Sequence, residues 1–545
     1  MDADTIVIGS GAGGMTAAVA LAQAGQKVIV LEQHDVPGGW CHSFTLGGYR
    51  FSPGVHYIGE VGEGGRMRRI YEGLGVSGDL EFLELDPEAF DRIVIGDTEF
   101  GIPKGRERFA AKLSDRFPHD AKGIHRYLDA VQKIADQLDG LGHRRGLQKL
   151  TSPWYARTLL SHLPISLKRM LDRHGVKDPV VRAILSMQAG DHGMGPARAP
   201  AILHALVQHH YFAGAFFPKG GGFAIPRAFN RALKRAGGEV RLKTRVEHIL
   251  VEGRKVVGVR LADGTELRAQ RVVSNADPVV TFDRMMAPED VPKKLRRKVK
   301  KTTISGSAIS LFMAVDMDVR AAGLTSANLW FSKTPDIDGL LSPPKSGTEL
   351  PGGFLTVTTL KDPSKLGRNG HHTMEAFAFV DYEQFSKWAG TRYGDRPADY
   401  AAMKEELTQK LLRTIDRFVP GLSDHVVFSD LGTPLTNQHY VEATGGNLYG
   451  IEKRLGQIGP FAYQPRSGVE GLYLCGASTA AGHGVLGATM SGIDAAKAVL
   501  GCGTRDLLVQ NGPSLKVSQA EPGVRVVAPA PAPPVEAAPP RVAHA

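Results

Sequence analysis

The feature that most constrains this chain is a strand, a glycine turn, a helix and a second strand at its very start. Residues 5–8 are typical of a buried strand, and Gly9, Gly11 and Gly14 follow with G-x-G-x-x-G spacing. Glycines at this spacing let the backbone turn tightly and approach a pyrophosphate, which faces the N-terminus of the next helix. The second strand ends at Glu32, where a carboxylate can accept hydrogen bonds from an adenosine ribose. The segment predicts a dinucleotide-binding βαβ unit.

The prediction depends on the strands, the helix and the acidic residue around the glycines, because glycine-rich turns alone are common. A structural βαβ unit in another α/β fold is the alternative, and it leaves the three glycines unexplained. A carboxylate at position 32 would repel the 2′-phosphate of NADP. FAD and NAD therefore remain as candidates.

Length and composition limit the remaining possibilities. With 545 residues the chain exceeds one core, so we expect at least two domains, interleaved because nucleotide-binding folds accept insertions. No stretch reaches the roughly 18 uncharged apolar residues that a membrane-spanning helix needs. We expect no signal or transit peptide. Cys41, Cys475 and Cys502 lack metal or redox spacing, so we expect no zinc, no disulfide and a cytoplasmic location.

The formal net charge of +10 suggests an anionic partner or a highly solvated surface. Seven basic residues lie within nine positions: Lys293, Lys294, Arg296, Arg297, Lys298, Lys300 and Lys301. Further basic residues are Arg144, Arg145, Lys168, Arg169 and Arg173. No nucleic-acid motif accompanies them, so we expect no nucleic acid. Two interpretations stay open: peripheral contact with the cytoplasmic face of a membrane, and a solvated helix face.

The pattern along the chain divides it into six segments. We predict a nucleotide-binding domain in three parts, a helical substrate or lid region, a substrate domain and a disordered Ala/Pro-rich tail. In that scheme the nucleotide-binding parts are 1–100, 216–300 and 431–503, the helical region is 101–215, the substrate domain is 301–430, and the tail is 504–545. Within the helical region, the apolar residues of 154–171 predict a membrane-dipping lid, a helix pair over a substrate cavity, or core.

A second glycine block lies near the C-terminal end. Residues 471–476 are typical of a buried strand, and Gly482, Gly484 and Gly487 precede a helix predicted over 488–500. No acidic residue follows at ribose distance, which argues against a second NAD site. A helix N-terminus carries partial positive charge, which suits the pyrimidine edge of a reduced flavin.

Together these segments resemble the phytoene desaturase-type FAD-dependent oxidoreductases, within them the retinol saturase and carotenoid isomerase branch. The resemblance spans about residues 4–500. It rests on the N-terminal unit, Gly38-Gly39, Phe217-Pro218-Lys219-Gly220-Gly221, Ser274-Asn275-Ala276-Asp277 and the block 471–492. The narrower likeness rests on Gly38-Gly39-Trp40-Cys41-His42-Ser43-Phe44, Gly54-Val55-His56-Tyr57-Ile58-Gly59, the stretch 204–214, Tyr449-Gly450 and Gln464-Pro465.

The resemblance implies a Rossmann-like α/β fold of the two-dinucleotide-binding type, with an interleaved α+β substrate domain and FAD as cofactor. The implied cofactor-binding residues are Gly9, Ser10, Gly11, Ala12, Gly13, Gly14, Glu32, Gln33, Gly38, Gly39, Val246, Gly476, Ala477, Gly487, Ala488 and Thr489. Trp40 and the Ala477-Ser478 pair depart from the family pattern, since many relatives carry an arginine and an acid there. Each change removes a polar contact to FAD, while the adenosine half is intact.

The expected reaction needs a proton donor or acceptor near the flavin, and histidine suits that role near neutral pH. His56 follows the glycine-pair loop and His192 lies in a loop between helices, so we predict these two as catalytic. Other aromatic and imidazole candidates are His204, His209, His210, Tyr211 and Phe212. For any one histidine, a packed or surface position is the alternative interpretation.

The resemblance implies an FAD-dependent oxidoreductase acting on carbon–carbon bonds of an isoprenoid polyene by hydride transfer at flavin N5. Saturation, desaturation and isomerisation of a retinoid or carotenoid remain open. With no second nucleotide unit visible, we expect an external electron carrier, a quinone or oxygen as redox partner. Two alternatives use the same scaffold: a flavin amine or small-molecule oxidase, and a non-catalytic prenyl-lipid-binding protein.

Overall fold

The computed structural model describes residues 1–143, 148, 151–343, 350–365 and 368–520. Its strands are β1 Ala3–Ile8, β2 Val28–Leu31, β3 Phe44–Leu46, β4 Tyr49–Phe51, β5 Glu81–Glu84, β6 Asp91–Ile95, β7 Thr98–Ile102, β8 Phe216–Pro218, β9 Glu239–Arg241, β10 Val246–Glu252, β11 Lys255–Leu261, β12 Glu266–Ser274, β13 Ser307–Val315, β14 Asn328–Ser332, β15 Gly352–Val357, β16 His372–Val380, β17 Val426–Gly432, β18 Leu472–Leu474 and β19 Lys516–Gln519.

The helices are α1 Ala12–Gln23, α2 Arg66–Gly73, α3 Arg106–Arg116, α4 Ala121–His143, α5 Ser152–Tyr155, α6 Arg157–His162, α7 Leu167–His174, α8 Pro179–Ser186, α9 Ala201–His210, α10 Ala224–Arg235, α11 Lys293–Lys300, α12 Ile337–Leu341, α13 Thr358–Lys361, α14 Ala398–Asp416, α15 Pro434–Val441, α16 Gly484–Leu500 and α17 Thr504–Leu507. Within the described residues, no helix is both long and apolar enough to cross a bilayer.

The first sheet carries the N-terminal unit, and its order is β10-β11-β12-β1-β2-β9, with β18 also paired to β12. The pairs β1–β2, β1–β12, β2–β9 and β12–β18 are parallel. This confirms the predicted βαβ unit. Alternate residues of β1 are buried on opposite faces: Val7 packs with α1, α10 and α16, and Ile6 and Ile8 pack with β10 and β11. Burial on both faces explains why β1 is almost entirely apolar.

The second sheet has the order β17-β13-β16-β15-β14-β6-β7, and α14 covers one face of it. Only the β14–β6 pair in this sheet is parallel. We predicted 1–100 as nucleotide-binding domain, yet β6 and most of β7 fall in that range and extend the second sheet. The pairing of β6 with β14, more than 230 residues later, leaves no local pattern in the sequence.

The predicted tail is ordered at its start. Residues 504–507 form α17, and β19 pairs in parallel with β5, in a three-stranded sheet that β8 completes. The prediction of a disordered tail from residue 504 is therefore wrong for 504–520, because Leu515 and Ala520 are buried against the fold. Residues 521–545, the rest of the predicted tail, and Arg144 and Arg145 lie outside the described residues.

Segment 154–171 is split among three short helices, α5, α6 and the start of α7. Leu159, Ile165 and Leu167 are buried in the core of the helical region, whereas Trp154, Leu160 and Leu163 are exposed. The segment thus combines a core face with an apolar surface.

Candidate functional site

One large cavity of about 910 Å³ lies between the first sheet and the second sheet. The carboxyl ends of β1 and β2 open into it, as expected for ligand sites in parallel α/β sheets. Its other walls come from α9, from β15 and β16, and from the N-terminal end of α16. A cavity of this size can enclose parts of both a cofactor and a substrate.

The glycine turn leaves no room for side chains. A Cβ on Gly11 would lie 2.7 Å from Asn275 Nδ2, and one on Gly14 would lie 2.1 Å from the Gly9 carbonyl oxygen. Gly9 also has a φ of +88°, which favours glycine. Gly9, Gly11, Ala12 and Gly13 line the cavity. The turn therefore offers a backbone surface that a pyrophosphate can approach.

Gly13 and Gly14 serve packing more directly than ligand contact. A Cβ on Gly13 would lie 2.8 Å from the amide nitrogen of Gly476, and one on Gly492 would lie 2.3 Å from the Gly13 carbonyl oxygen. These glycines bring α1 and α16 into close contact. The Gly14 N–H donates to Asn275 Oδ1 at 3.1 Å. Gly14 is not on the described cavity wall, and its predicted contact with FAD stays a prediction beside this packing role.

Glu32 lies on the cavity wall at the end of β2, with its carboxylate fixed by neighbours. Oε2 accepts from the Ser10 amide at 2.9 Å and the Ser10 hydroxyl at 2.5 Å, and Oε1 accepts from the His34 amide at 2.9 Å. Ser10 Oγ also accepts from the Gly38 amide at 3.0 Å. Ser10 is buried and positions Glu32 and Gly38, and its predicted contact with FAD stays a prediction.

The remaining predicted cofactor residues gather at the same cavity. Gln33, Gly38, Gly39, Val246, Gly476, Ala477, Gly487 and Ala488 all line it. Thr489 is fully buried and lies off the described wall, which corrects its predicted contact. Helix α16 begins at Gly484, four residues before the predicted start, with His483 as its N-cap. The positive end of this helix therefore reaches farther into the cavity than predicted.

His56 lies on the cavity wall, as a catalytic role requires. Its Nδ1 lies 3.1 Å from Glu375 Oε2, and its ring lies 5.0 Å from that of Phe354. The His56 carbonyl oxygen accepts from Lys361 Nζ at 2.6 Å, and Lys361 also donates to Asn328 Oδ1 at 2.5 Å. Burial lowers the pKa of Lys361 to about 7. The backbone at His56 is thus held by a buried polar cluster.

His192 does not lie on the described cavity wall, and its neighbour Asp191 does. His192 is buried with Nε2 3.2 Å from His204 Nδ1, and His204 Nε2 lies 2.8 Å from the Leu185 carbonyl oxygen. Burial lowers the pKa of His192 well below its usual value. His192 thus packs behind Asp191, and its predicted catalytic role stays a prediction.

The sequence analysis missed His483 and Tyr449, which both line the cavity. His483 Nε2 lies 3.0 Å from the Asp191 carbonyl oxygen, and Tyr449 donates to the Gly190 carbonyl at 2.7 Å. Burial lowers the pKa of His483 to about 3, so its imidazole is neutral. The Gly-His-Gly sequence at the start of α16 was the available signal.

The chain belongs to the flavin containing amine oxidoreductases, because the family model matches residues 12–500. It is an FAD-dependent oxidoreductase, and the glycine turn, Glu32 and the N-terminus of α16 fit that cofactor.

Individual relatives carry more specific names than the family does. The chain is 30% identical over 503 residues to an all-trans-retinol 13,14-reductase of Danio rerio, covering 87% of this chain and 82% of that protein. It is 28% identical over 515 residues to a chloroplastic prolycopene isomerase of Daucus carota, covering 90% and 78%. Among solved structures, putrescine oxidase bound to putrescine has a TM-score of 0.61 at 16% identity, covering 92% of this chain and 100% of that chain. This last likeness shows the fold alone.

Proposed function

We propose that this enzyme acts on a carbon–carbon double bond of an isoprenoid polyene of the retinoid or carotenoid class. The observation that carries the proposal is an apolar arm of the cavity that meets the cofactor half at His56 and Tyr57. The arm is lined by Leu138, Leu203, Leu206, Val207, Phe354, Phe377 and Leu448. A long apolar molecule gains from burial in such a slot about 25 cal/mol per Å² of surface removed from water. The reductase and isomerase relatives act on substrates of this kind, as their names state.

The residues of the chain bind the cofactor and orient the substrate. The glycine turn and Glu32 hold the nucleotide, and the apolar arm places the polyene and excludes water. When bound, FAD supplies two-electron hydride chemistry at N5 of its ring. The ring of Tyr57 stacks on that of Tyr211 with centroids 4.4 Å apart, giving a flat wall beside the polyene path.

An amine oxidase is the second candidate, which the family description favours. The buried lysines Lys361 and Lys453 lie off the described cavity wall and donate to carbonyl groups within the fold. An amine substrate would place a cation in the cavity, beside apolar residues that offer it no carboxylate and beside Asp191, whose pKa burial raises well above its usual value. We therefore prefer a polyene to an amine as the substrate.

The product decides between these functions. The flavin-loaded enzyme is incubated anaerobically with all-trans-retinol, with a carotene and with putrescine, in oxidised and in dithionite-reduced form, and the products are separated by chromatography. We expect a saturated, desaturated or isomerised polyene and no amine oxidation. Oxidation of putrescine with every polyene left unchanged would reverse the order of the two candidates.

We also infer that an electron carrier, a quinone or oxygen exchanges electrons with the enzyme, because the family match and the first sheet account for one nucleotide site. Steady turnover with each acceptor or donor in turn identifies the partner. Turnover driven by NADPH alone, with no added carrier, would contradict this inference.

We further propose peripheral membrane contact on the cytoplasmic face, at the mouth of the apolar arm. Trp154 on α5 is 76% exposed, with Arg157 5.5 Å above its ring, and Leu160 and Leu163 are exposed beside it. This surface packs on α4 through the hydrogen bond from Tyr155 to the Asp136 carbonyl, two residues before Leu138 on the cavity wall. Exposed tryptophan and leucine next to arginine is a composition that suits a lipid interface.

Sedimentation with anionic vesicles tests whether this surface or the basic helix α11 contacts the membrane. We expect Trp154→Ala with Leu160→Ala to weaken binding more than Lys293→Gln with Lys294→Gln. A larger loss from the α11 variant would move the contact to that helix, and equal binding by all proteins would remove the membrane proposal.

A further inference from the structure

Two polar side chains face each other on the cavity wall, Tyr57 and Asp191. The Tyr57 hydroxyl donates to Asp191 Oδ2 at 2.8 Å. Tyr57 follows the glycine-pair loop, whereas Asp191 ends a 3-10 turn that follows α8. Their meeting therefore depends on the tertiary fold.

Asp191 is held at the flavin end of the cavity. Its carbonyl oxygen lies 3.0 Å from Nε2 of His483, the N-cap of α16. The preceding carbonyl, of Gly190, accepts from the Tyr449 hydroxyl at 2.7 Å. The N-terminus of α16 faces the cavity, so the backbone of Asp191 is tied to that helix end, and Asp191 also lies on the cavity wall.

The surroundings of Asp191 favour its neutral form. Removal from water raises its pKa well above the usual value, and the nearby carboxyl of Asp91 raises it further. Asp91 has its own pKa raised to about 6, and it accepts from Asn328 Nδ2 at 3.0 Å and Gln188 Nε2 at 3.1 Å. At neutral pH Asp91 is thus largely charged.

The other titratable groups around Asp191 are uncharged. Burial raises the pKa values of Tyr57, Tyr211 and Tyr449, so all three keep their protons. Burial lowers the pKa of His483 to about 3, so it carries no positive charge. A neutral carboxylic acid is consequently presented to the cavity.

We propose that Asp191, positioned by Tyr57 at the cavity wall, donates the proton that completes saturation of a polyene double bond. The inference rests on the proposed function and deepens it, because it selects the saturating direction. Saturation consumes a proton, which an acid on the cavity wall can donate, whereas desaturation would need the same group ionised.

The step balances as a two-electron reduction. When bound and reduced, FAD would supply a hydride equivalent to one carbon of the double bond as the π bond breaks. The other carbon forms a C–H bond as the Asp191 O–H bond breaks, and that bonding pair stays on the carboxylate. The Tyr57 hydroxyl keeps its hydrogen bond to the carboxylate, and a solvent proton restores the acid. An external reduced carrier, such as a quinol, would supply the two electrons and be oxidised.

The first test reads the proton directly and needs no turnover. Infrared spectra of the flavin-loaded enzyme are recorded at about pH 8, where Asp91 is ionised. We expect a carbonyl stretch from a protonated carboxyl that disappears in Asp191→Asn and persists in the surface variant Asp316→Asn. An unchanged spectrum in Asp191→Asn would overturn the proposal.

The second test follows a single turnover, in which the dithionite-reduced enzyme is mixed anaerobically with a polyene. We expect Asp191→Asn to slow saturation at least about 100-fold, the usual size of a general acid contribution, with flavin content and polyene affinity unchanged. Tyr57→Phe keeps the ring stacked on Tyr211, so we expect a smaller loss. Saturation by Asp191→Asn at the wild-type rate would overturn the donor role alone. Failure of the wild-type enzyme with every polyene would instead overturn the proposed function, and the donor role with it.

Discussion

The nucleotide half and the substrate half of this cavity are built in different ways. The nucleotide half uses backbone from short segments: the turn after β1, the end of β2 and the start of α16. The substrate half uses side chains from elements far apart in sequence, such as Tyr57, Asp191 and Phe354. A backbone site follows from local glycine spacing, whereas a side-chain site depends on the complete fold.

The largest effect should come from Gly11→Asp. Its Cβ would lie 2.7 Å from Asn275 Nδ2, and its charge would face the pyrophosphate. We expect complete loss of flavin from the purified protein, measured by visible absorption. Gly390→Asp is the matched control, because no atom lies within 4 Å of a Cβ there. Wild-type flavin content in Gly11→Asp would show that the turn does not hold the pyrophosphate.

Truncation of the C-terminal segment tests whether the nucleotide half depends for its stability on residues far from its glycine motif. Deleting 509–545 removes β19 and the buried Leu515, which pack with Phe82 and Phe216. We expect the free energy of unfolding to fall by about 2 to 5 kcal/mol, the range for losing a buried leucine. Deleting 521–545 alone is the control and should change little. Equal denaturation midpoints for both truncations would mean that β19 adds no stability.

The Val207→Trp variant tests whether the substrate half can be blocked while the nucleotide half still binds flavin. Val207 lines the apolar arm, and a larger side chain would fill the space that a polyene needs. We expect unchanged flavin content and an increase in KM for the polyene of at least about tenfold. Val427→Trp, on an exposed strand position, controls for the added bulk. A loss of flavin in Val207→Trp would show that the halves are not separable.

Acid should destabilise the substrate half first. Burial lowers the pKa values of His204 and His210, both on α9, to about 4. The unfolded chain binds protons near pH 6.5, so between pH 6.5 and 4 it binds more protons than the folded chain, and stability falls as pH falls. Asp91, Asp191 and Asp277 have raised pKa values and oppose this trend. The buried histidines with lowered pKa values outnumber them, because His192, His209 and His483 join His204 and His210.

Urea denaturation at pH 7 and pH 5 measures this effect. We expect a lower midpoint at pH 5 and a weaker pH dependence in His204→Gln, with the exposed His425→Gln as control. An equal or higher midpoint at pH 5 would contradict the assignment of neutral buried histidines.

The sequence predicted what depends on local pattern. The βαβ unit and the second glycine block, with its strand and following helix, both appear in the structure. Gly13 shows the limit of this approach, since its role follows from the crossing of α1 and α16, two helices separated by more than 450 residues.

The features that the sequence analysis missed share one physical cause, which is long-range contact. His192 was predicted because imidazole titrates near neutral pH, whereas only the fold shows that its neighbour Asp191 lines the cavity. Strand β19 follows a loop rich in polar residues and gains its order from pairing with β5, over 430 residues earlier. Neither the position of Asp191 at the cavity nor the order of β19 can be read from a short stretch of sequence.

The most direct test of the central claim is reoxidation of the flavin by a polyene in the absence of oxygen. The purified, flavin-loaded protein is reduced with dithionite and mixed anaerobically with all-trans-retinol or a carotene while its visible spectrum is recorded. The account predicts that the oxidised flavin bands return as the polyene absorbance shifts to shorter wavelength, because one double bond leaves the conjugated system. Flavin that stays reduced with every polyene, while the oxidised form is bleached by an amine, would contradict it.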